Sequence, residues 1–214
     1  MTFISTFSKK ILRKIYKLVF NRRFLAAVIL LAALAGVIRV WPRPRLTENI
    51  LYSQAVYARG GELLRLTLAE DEIFRLYTPL EEISPWMMQS TEFYEDRYFR
   101  YHPGVNVPAL MRGFWTTYVK KQRAVGGSTI TMQLARAVYD IDSSNIPGKI
   151  KQIFAALWIE ARYSKDDIIE AYMNLAPYGH NIEGVGAASL IYFNKRAENL
   201  SLMESMTLSV IPQN

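Results

Sequence analysis

A run of 15 uncharged residues at positions 24–38 is the feature that most constrains how this chain can fold. The first 47 positions hold ten Lys and Arg residues, seven before the run and three after it, and no acid. As a helix the run is about 22 Å long, and extension to Trp41 gives about 27 Å, close to the core of a thin bilayer. We therefore predict a basic arm at 1–23 and a transmembrane anchor at 24–41, with the N-terminus in the cytoplasm.

Two alternatives to this interpretation of the N-terminal end stay open. Residues 33–35 (ALA) resemble the cleavage site of a secretory signal peptide, although the basic arm is long for the charged region of such a peptide. The arm itself could also form a helix that lies on anionic lipid, with an apolar face on one side. In each case the rest of the chain is expected outside the cytoplasm and close to the membrane.

The net charge of +7 belongs to this end of the chain. Beyond position 47 there are 16 basic and 19 acidic side chains, so a general nucleic-acid-binding surface is not expected. The absence of cysteine excludes a disulfide framework, a thiolate zinc site and a cysteine nucleophile. Half of the residues are apolar, which is enough for a packed core.

The part beyond the anchor is expected to be mainly α, with a small β element at its start. We predict a linker and β element at 42–83, followed by a domain at 84–214. The predicted strands are 55–57, 63–68 and 73–77. The predicted helices are 84–100, 107–123, 129–139 with Ser128 as its cap, one that Pro147 opens, and 164–175, with a further capping box at Ser201. Apolar side chains recur on one face of the helix after Pro147, namely Ile150, Ile153, Phe154, Leu157 and Ala161.

Two polar clusters are candidates for chemistry. Residues 95–104 (EDRYFRYHPG) combine carboxylates with arginines, a pattern that a solvated helix end would also show. Residues 126–133 (GGSTITMQ) place two glycines and several hydroxyl groups at a helix start, where backbone N–H groups suit an anionic oxygen. No phosphate-binding loop or nucleophile-elbow motif is present. His102 and His180 lack metal-ligand spacing and are expected to be structural hydrogen-bonding groups.

These clusters resemble motifs of the family 51 glycosyltransferases, the peptidoglycan transglycosylases. The likeness is greatest to the transglycosylase module of class A penicillin-binding proteins of the 1C branch, and it extends from about residue 47 to the end. The motifs that carry it are 95–99 (EDRYF), 102–106 (HPGVN), 149–152 (KIKQ), 163–165 (YSK), 172–174 (YMN), 184–188 (GVGAA) and 192–195 (YFNK). The resemblance implies a lysozyme-like transglycosylase domain.

The resemblance also implies a reaction, in which lipid II is polymerised into β-1,4-linked glycan strands with inversion and release of undecaprenyl pyrophosphate. Glu95 matches the family's general base, Asp96 is its partner with a positioning role, and Gln152 stands where a second glutamate is usual. The other residues that match substrate-binding positions are Ser128, Thr129, Gln133, Arg136 and Lys149. No metal ligand and no certain cofactor are implied, and a divalent cation at the pyrophosphate stays open.

The implied partners are lipid II, the lipid-linked glycan chain and membrane lipids, with other cell-wall synthesis proteins left open and nucleic acid excluded. The implied location is the bacterial inner membrane, with a single pass and a periplasmic or extracytoplasmic catalytic domain. The stretch around Leu110, Met111 and Trp115 is expected either to dip into the bilayer or to pack in the core.

Several departures from the family's pattern favour an alternative, a catalytically impaired relative that binds lipid II or scaffolds cell-envelope proteins. Ser144 and Gly148 stand where arginines are expected, Asn194 replaces a usual glycine, and Gln152 has lost a charge. The chain also stops within the family's last motif, so the module is expected to be truncated. A glycan hydrolase is a distant third hypothesis, because it needs a second carboxylate that Gln152 does not supply.

Overall fold

A computed structural model of the chain describes residues 22–116 and 127–213. The chain divides into two compact units, 1–43 and 44–214. In the first unit the described residues form one helix, α1 (Arg22–Val40), whose side chains at Phe24, Ile29 and Val40 are exposed. The sequence analysis expected a transmembrane anchor at 24–41. Among the described residues, no helix has both the length and the hydropathy needed to cross a bilayer.

The second unit begins with short strands. Strand β1 (Ala55–Tyr57) pairs antiparallel with β2 (Leu63–Leu66), and β3 (Phe74–Arg75) pairs parallel with β4 (Ile182–Glu183) from much later in the chain. The second and third strands are shorter than the predicted 63–68 and 73–77, because pairing partners cover only part of each apolar run. The small β element at the start of the domain is confirmed.

Arg75 on β3 joins the early part of the domain to Glu183 on β4. Its buried guanidinium donates to Glu183 at 2.6 and 2.9 Å, to Asp71 at 3.0 Å and to the carbonyl of Leu51 at 2.7 Å. These acceptors outweigh the cost of burial, and the pKa of Arg75 is raised. The linker around Leu51 is therefore held against the sheet.

Helices form the rest of the unit. They are α2 (Pro85–Glu95), α3 (Val107–Phe114), α4 (Ile130–Val138), α5 (Ile146–Arg162), α6 (Lys165–Leu175), α7 (Val185–Phe193) and α8 (Leu202–Val210), with 3-10 turns at Leu80–Glu82, Ala197–Asn199 and Ile211–Gln213. Both predicted capping boxes are confirmed, with Ser164 opening α6 and Ser201 opening α8.

The core lies between α4, α5, α6 and α7, and a buried asparagine ties it to the β element. Asn174 on α6 accepts from the N–H of Thr78 at 2.8 Å and donates to the carbonyls of Thr78 and Glu170, both at 2.9 Å. Every polar atom of the Asn174 amide is thus paired although the residue is fully buried.

Helix α2 ends five residues before the predicted position 100. The backbone of Asp96 leaves the helical conformation, with φ −158° and ψ 77°. The prediction was wrong because the Asp96 carboxylate is drawn to partners elsewhere in the fold, described below. At the other end, Ser84 occupies the N-cap position, but its hydroxyl donates to the carbonyl of Leu200 at 2.9 Å.

The helix predicted at 107–123 is described as α3 and a following turn to residue 116, and positions 117–126 lie outside the described residues. Met111 and Trp115 are exposed, whereas Leu110 packs against the core. One of the two alternatives for this stretch was that its apolar side chains pack in the core. That alternative is wrong for Met111 and Trp115.

Most of the predicted apolar face of α5 points outward. Ile150, Phe154 and Leu157 on that face are exposed, whereas Ile153 packs against the core. Gln152 and Ala156 on the opposite side are buried. Periodicity predicts which apolar residues share a helix face. It does not predict whether that face is buried or exposed when both sides of the helix contain apolar residues.

Candidate active site

Glu95, the predicted general base, is the last residue of α2 and is buried, with 7% of its surface exposed. Its Oε2 accepts a hydrogen bond of 2.8 Å from the Nε2 of Gln133 on α4. The structure therefore brings these two predicted site residues together, although 38 positions separate them. An amide donor orients one carboxylate oxygen without supplying a competing positive charge.

Asp96 has a different role from its neighbour. Both of its carboxylate oxygens lie 2.9 Å from Nε2 of His102, and Oδ2 also accepts from the N–H of Ile130 at 3.2 Å. Because a carboxylate only accepts, Nε2 of His102 carries the proton in this pair. Asp96 thereby fixes the loop that follows α2 and caps the first turn of α4, where a negative charge is favourable. The expectation that His102 is a structural hydrogen-bonding group is confirmed.

Thr129, and not Ser128, is the N-cap of α4. Its Oγ1 accepts from the N–H of Met132 at 3.1 Å and donates to the carbonyl of Gly104 at 2.6 Å. The hydroxyl is therefore committed to the fold, and only 3% of the residue is exposed. Its predicted contact with substrate stays a prediction.

Ser128 lies beside Lys149, which donates from Nζ to the serine Oγ at 2.8 Å. Burial lowers the pKa of Lys149, and the positive charge of Arg136 lowers it further, so the two cations lie near one another. Arg136 is exposed on α4, one turn beyond Gln133. Two cations and a hydroxyl group held together in this way suit an anionic ligand. We call Glu95, Ser128, Gln133, Arg136 and Lys149 the Glu95 cluster.

Gln152, predicted as a catalytic position, lies beneath α4 and has 1% of its surface exposed. Its Nε2 donates to the carbonyl of Met132 at 2.6 Å, and its buried Oε1 has no hydrogen-bond partner among the described residues. In this arrangement the side chain joins α5 to α4. A carboxylate at this position would face the Met132 carbonyl, which is itself an acceptor.

The sequence analysis missed an ion pair between Glu160 on α5 and Lys165. Oε1 of Glu160 on α5 accepts from Oγ1 of Thr131 and from Nζ of Lys165, both at 2.6 Å. Lys165 also donates to the carbonyl of His102 at 2.8 Å, and its Nζ lies 4.4 Å from the centre of the Phe99 ring. The YSK motif contains Lys165, but no local signal names its partners.

Two buried tyrosines near Glu95 were also missed. Burial raises the pKa of Tyr172 well above its usual value, and the negative charge of Glu95 adds to the rise. Burial and the same charge raise the pKa of Tyr178. Both hydroxyl groups therefore stay protonated next to the carboxylate, and the YMN motif is the sequence signal that contains Tyr172.

Comparison with known proteins identifies the domain that this geometry belongs to. A family model described as "Transglycosylase" matches residues 61–214. The chain belongs to the transglycosylase family. The resemblance predicted from the motifs is thereby confirmed.

Three similar proteins are penicillin-binding proteins. Penicillin-binding protein 1C of Escherichia coli (strain K12) is 37% identical over 188 residues, which is 88% of this chain and 24% of that protein. Penicillin-binding protein 1F of Bacillus subtilis (strain 168) is 32% identical over 149 residues, 67% of this chain and 21% of that protein. Penicillin-binding protein 1A of Escherichia coli (strain K12) is 33% identical over 158 residues, 74% of this chain and 18% of that protein. The chain thus spans about a quarter or less of the length of these relatives.

The departures from the family's motif pattern have local explanations in this transglycosylase domain. Gly148 is buried, and a Cβ at this position would collide with the carbonyl oxygen of Asp142, so no side chain fits without movement of the backbone. Asn194 is the left-handed C-cap of α7, with φ 51° and ψ 40°, a conformation that asparagine tolerates better than most residues. Ser144 is exposed, and its N–H donates to Asp142 at 3.0 Å.

Within the part of the chain that the structure describes, no group of three or more His, Asp or Glu side chains is placed to hold a metal ion. The groups near the predicted pyrophosphate position are Ser128, Arg136 and Lys149. None of them is a carboxylate, the ligand that magnesium and calcium prefer in proteins. A divalent cation at the pyrophosphate therefore stays a prediction.

Proposed function

We propose that this chain is a peptidoglycan glycosyltransferase that polymerises lipid II into β-1,4-linked glycan, with inversion and release of undecaprenyl pyrophosphate. The observation that carries the proposal is the Glu95 cluster, in which a buried carboxylate oriented by Gln133 shares a site with two neighbouring cations. A base and a group of cations are the two requirements of this transfer.

In the proposed mechanism, Glu95 accepts the proton of the acceptor sugar's 4-hydroxyl group. The hydroxyl oxygen attacks the anomeric carbon of the lipid-linked donor from the face opposite the pyrophosphate, so the new C–O bond forms as the bond to the leaving group breaks. Gln133 keeps the carboxylate in place. Lys149 and Arg136 stabilise the negative charge that develops on the pyrophosphate, since charge-assisted contacts are strongest in a partly desolvated site.

The second candidate is a relative that binds lipid II without polymerising it. Its support is the burial of Gln152 under α4, where the side chain holds two helices together and offers no charge. Polymerisation is the stronger proposal, because Glu95 is buried and its carboxylate is oriented by Gln133.

We place this reaction at the extracytoplasmic face of a bacterial cytoplasmic membrane, because both substrates are linked to lipid. The basic arm at 1–23 and the exposed apolar side chains of α1 support attachment there. The exposed Met111 of α3 and Trp115, the residue after it ends, support a helix that dips into the bilayer surface. Other proteins of cell-wall synthesis remain open as partners.

Incubation of the full chain with lipid II in lipid vesicles tests the proposal, with glycan polymer measured by gel or chromatography. We expect polymer from the wild-type chain and a decrease of at least about 100-fold in Glu95→Gln, the size that loss of a general base gives. Glu198→Gln, a change at an exposed acid whose contact is with Arg196, should keep full activity.

Two results would contradict the proposal. Full activity in Glu95→Gln would remove Glu95 from the mechanism. Saturable binding of lipid II without any polymer, under conditions in which a control transglycosylase works, would establish the binding-only relative instead.

A further inference from the structure

The outer edge of β1 carries main-chain groups that point away from the hairpin. Gln54 and Ala58 bond to the other arm of the hairpin, with N···O distances of 3.0 and 2.8 Å. Bonded residues alternate with outward-pointing residues along an antiparallel strand. The register places the irregular residue of the ladder on β2, so the alternation along β1 is unbroken. Ala55 and Tyr57 therefore direct their N–H and C=O groups outward.

This outer edge of β1 lines a cavity of about 200 Å³, which the segment 76–78 after β3 also lines. In the part of the chain that the structure describes, β2 is the only strand paired with β1, so no strand lies against its outer edge. The cavity is smaller than the roughly 300–1,000 Å³ of most small-molecule sites. A narrow cleft beside an open strand edge is typical of sites that bind an extended peptide as an added strand.

The cleft exists because two segments of the chain separate. Ser53, just before β1, donates its N–H to the carbonyl of Arg75 on β3 at 2.7 Å, so the two segments begin side by side. Three positions after Arg75, the N–H and C=O of Thr78 are both bonded to the buried amide of Asn174 on α6. The second segment is thus held by α6, and the space between it and β1 stays open.

The charged side chains of the cavity indicate the composition of the peptide. Arg196 and Glu198 are paired at 3.5 Å, and the guanidinium of Arg196 lies 5.5 Å from the centre of the Tyr57 ring. Glu82 also lines the cavity and is exposed, and its carboxylate makes no ion pair with any residue that the structure describes. A carboxylate left over in this way favours a partner with a positive charge.

We propose that β1 binds an extended segment of a partner polypeptide as an additional strand, with a lysine or arginine of that segment against Glu82. Ala55 and Tyr57 offer two N–H donors and two C=O acceptors for the main chain of the partner. Glu82 adds the preference for a basic side chain. This inference does not depend on the proposed reaction, because none of these residues belongs to the Glu95 cluster.

Selection of random linear octapeptides on phage against the full chain in mild detergent tests the proposal. We expect the enriched peptides to be rich in β-branched residues and to contain a lysine or arginine. The most enriched peptide is then synthesised with a fluorophore, and its binding is measured by anisotropy. Methylation of its backbone nitrogens should weaken binding at alternate positions alone, because a strand bonds to its neighbour through one edge.

Two pairs of variants locate the bound peptide. Ala55→Pro removes an outward N–H at an edge where proline is tolerated, so we expect binding to weaken by about tenfold or more. Leu66→Pro is the matched control, because Leu66 lies opposite Ala55 and its N–H points to the other edge of the hairpin. Glu82→Gln should weaken binding severalfold and reduce its dependence on salt, whereas Glu81→Gln, at an exposed neighbour outside the cavity, should not.

Four outcomes would overturn the inference. No enrichment relative to selection against Ala55→Pro would mean that the edge accepts no strand. Equal losses in Ala55→Pro and Leu66→Pro would mean that the outer edge of β1 is not the contact. Equal affinity of Glu82→Gln and wild type would remove the basic partner. Dimerisation of the chain that competes with the peptide, measured by analytical ultracentrifugation, would mean that a second copy occupies the edge.

Discussion

The candidate site consists of two regions whose polar groups are used in opposite ways. One is the Glu95 cluster. The other, which we call the support network, comprises Asp96, His102, Thr129, Thr131, Glu160 and Lys165. Thr129, Glu160 and Lys165 each make two or more contacts within the protein, and Asp96 is bound by both His102 and Ile130. Arg136, in contrast, is exposed, and Lys149 keeps a charge that its surroundings disfavour.

This difference shows that adjacency within a motif does not imply a shared role. Glu95 and Asp96 are neighbours in the EDRYF motif, yet the first is bound by a neutral amide and the second by His102 and a helix start. Asp96 supplies a hydrogen-bond acceptor to two separate parts of the fold, whereas the printed contact of Glu95 joins it to another residue of the Glu95 cluster. Stability and activity should therefore separate between the two regions.

The largest expected effect on stability is at Asp96. Asp96→Ala removes the partner of the partly buried His102 and the cap of α4, so we expect a loss of about 4 kcal/mol in the free energy of unfolding. Glu95→Gln, one position away, should change it by less than about 1 kcal/mol, because the amide keeps the volume and can still pair with Gln133. Chemical denaturation in mild detergent, followed by circular dichroism, measures both. Equal losses would abolish the distinction between the two carboxylates.

Lys165 gives the next largest effect. Lys165→Met leaves the Glu160 carboxylate, whose side chain is only 9% exposed, without its cation and frees the His102 carbonyl, so we expect a loss of about 3 kcal/mol. Lys195→Met is the matched control, because its ion pair with Glu204 is solvent-exposed and should contribute little to stability. Thermal unfolding of the two variants measures the contrast. If both midpoints fall equally, Lys165 is not a supporting residue.

The sequence predicted a hydrogen bond correctly where its two partners are close along the chain, and failed where they are far apart. The capping boxes at Ser164 and Ser201 were predicted correctly, because donor and acceptor lie three positions apart. The end of α2 was not, because Asp96 finds its partners six and 34 positions away. The pairing of Glu160 with Thr131 spans 29 positions and left no local signal.

The candidate residues themselves were easier to predict than their roles. Motif likeness named Glu95, Gln133, Arg136 and Lys149 as site residues, and their role in substrate binding or catalysis stays a prediction. The same likeness could not show that the hydroxyl of Thr129 is already used twice or that Gln152 is buried beneath a helix. Those facts arise from tertiary packing, which a motif records only as the presence of a residue type.

Gly104 belongs to the support network through its backbone, because its carbonyl accepts from Thr129. It has φ +84°, and a Cβ there would lie 2.7 Å from Cγ of Glu160. We expect Gly104→Ala to cost about 2 kcal/mol, from strain at positive φ and from displacement of the Glu160 side chain. Gly60→Ala, at a turn where nothing lies within 4 Å, should change stability by no more than about 0.5 kcal/mol. Equal denaturation midpoints for the two variants would mean that the loop after α2 is not tightly held.

The smallest effect on the free energy of unfolding is expected for substitution of Lys149. We expect this substitution to stabilise the fold or leave it unchanged, whereas substitution of Lys165 should destabilise it. Burial and Arg136 hold the pKa of Lys149 below its usual 10.5. Between the folded-state pKa and 10.5 the unfolded chain therefore binds more protons, so stability rises with pH in that window, and below it the cost of the buried charge is fully present. Lys149→Met removes this cost, and we expect it to be neutral or stabilising by under about 1 kcal/mol at pH 7.

The difference in the free energy of unfolding between the Lys149→Met variant and wild type should then narrow as the pH approaches 10.5. Polymerisation of lipid II by the variant should be lower than that of wild type at every pH. Denaturation curves at pH 7 and pH 10.5 measure the first effect, and other titrating groups cancel because they are common to both proteins. Destabilisation as large as that of Lys165→Met would assign Lys149 to the support network. Neutral or stabilising behaviour of Lys149→Met would agree with the proposed contact between Lys149 and the pyrophosphate, because it would leave the lysine no role in stability.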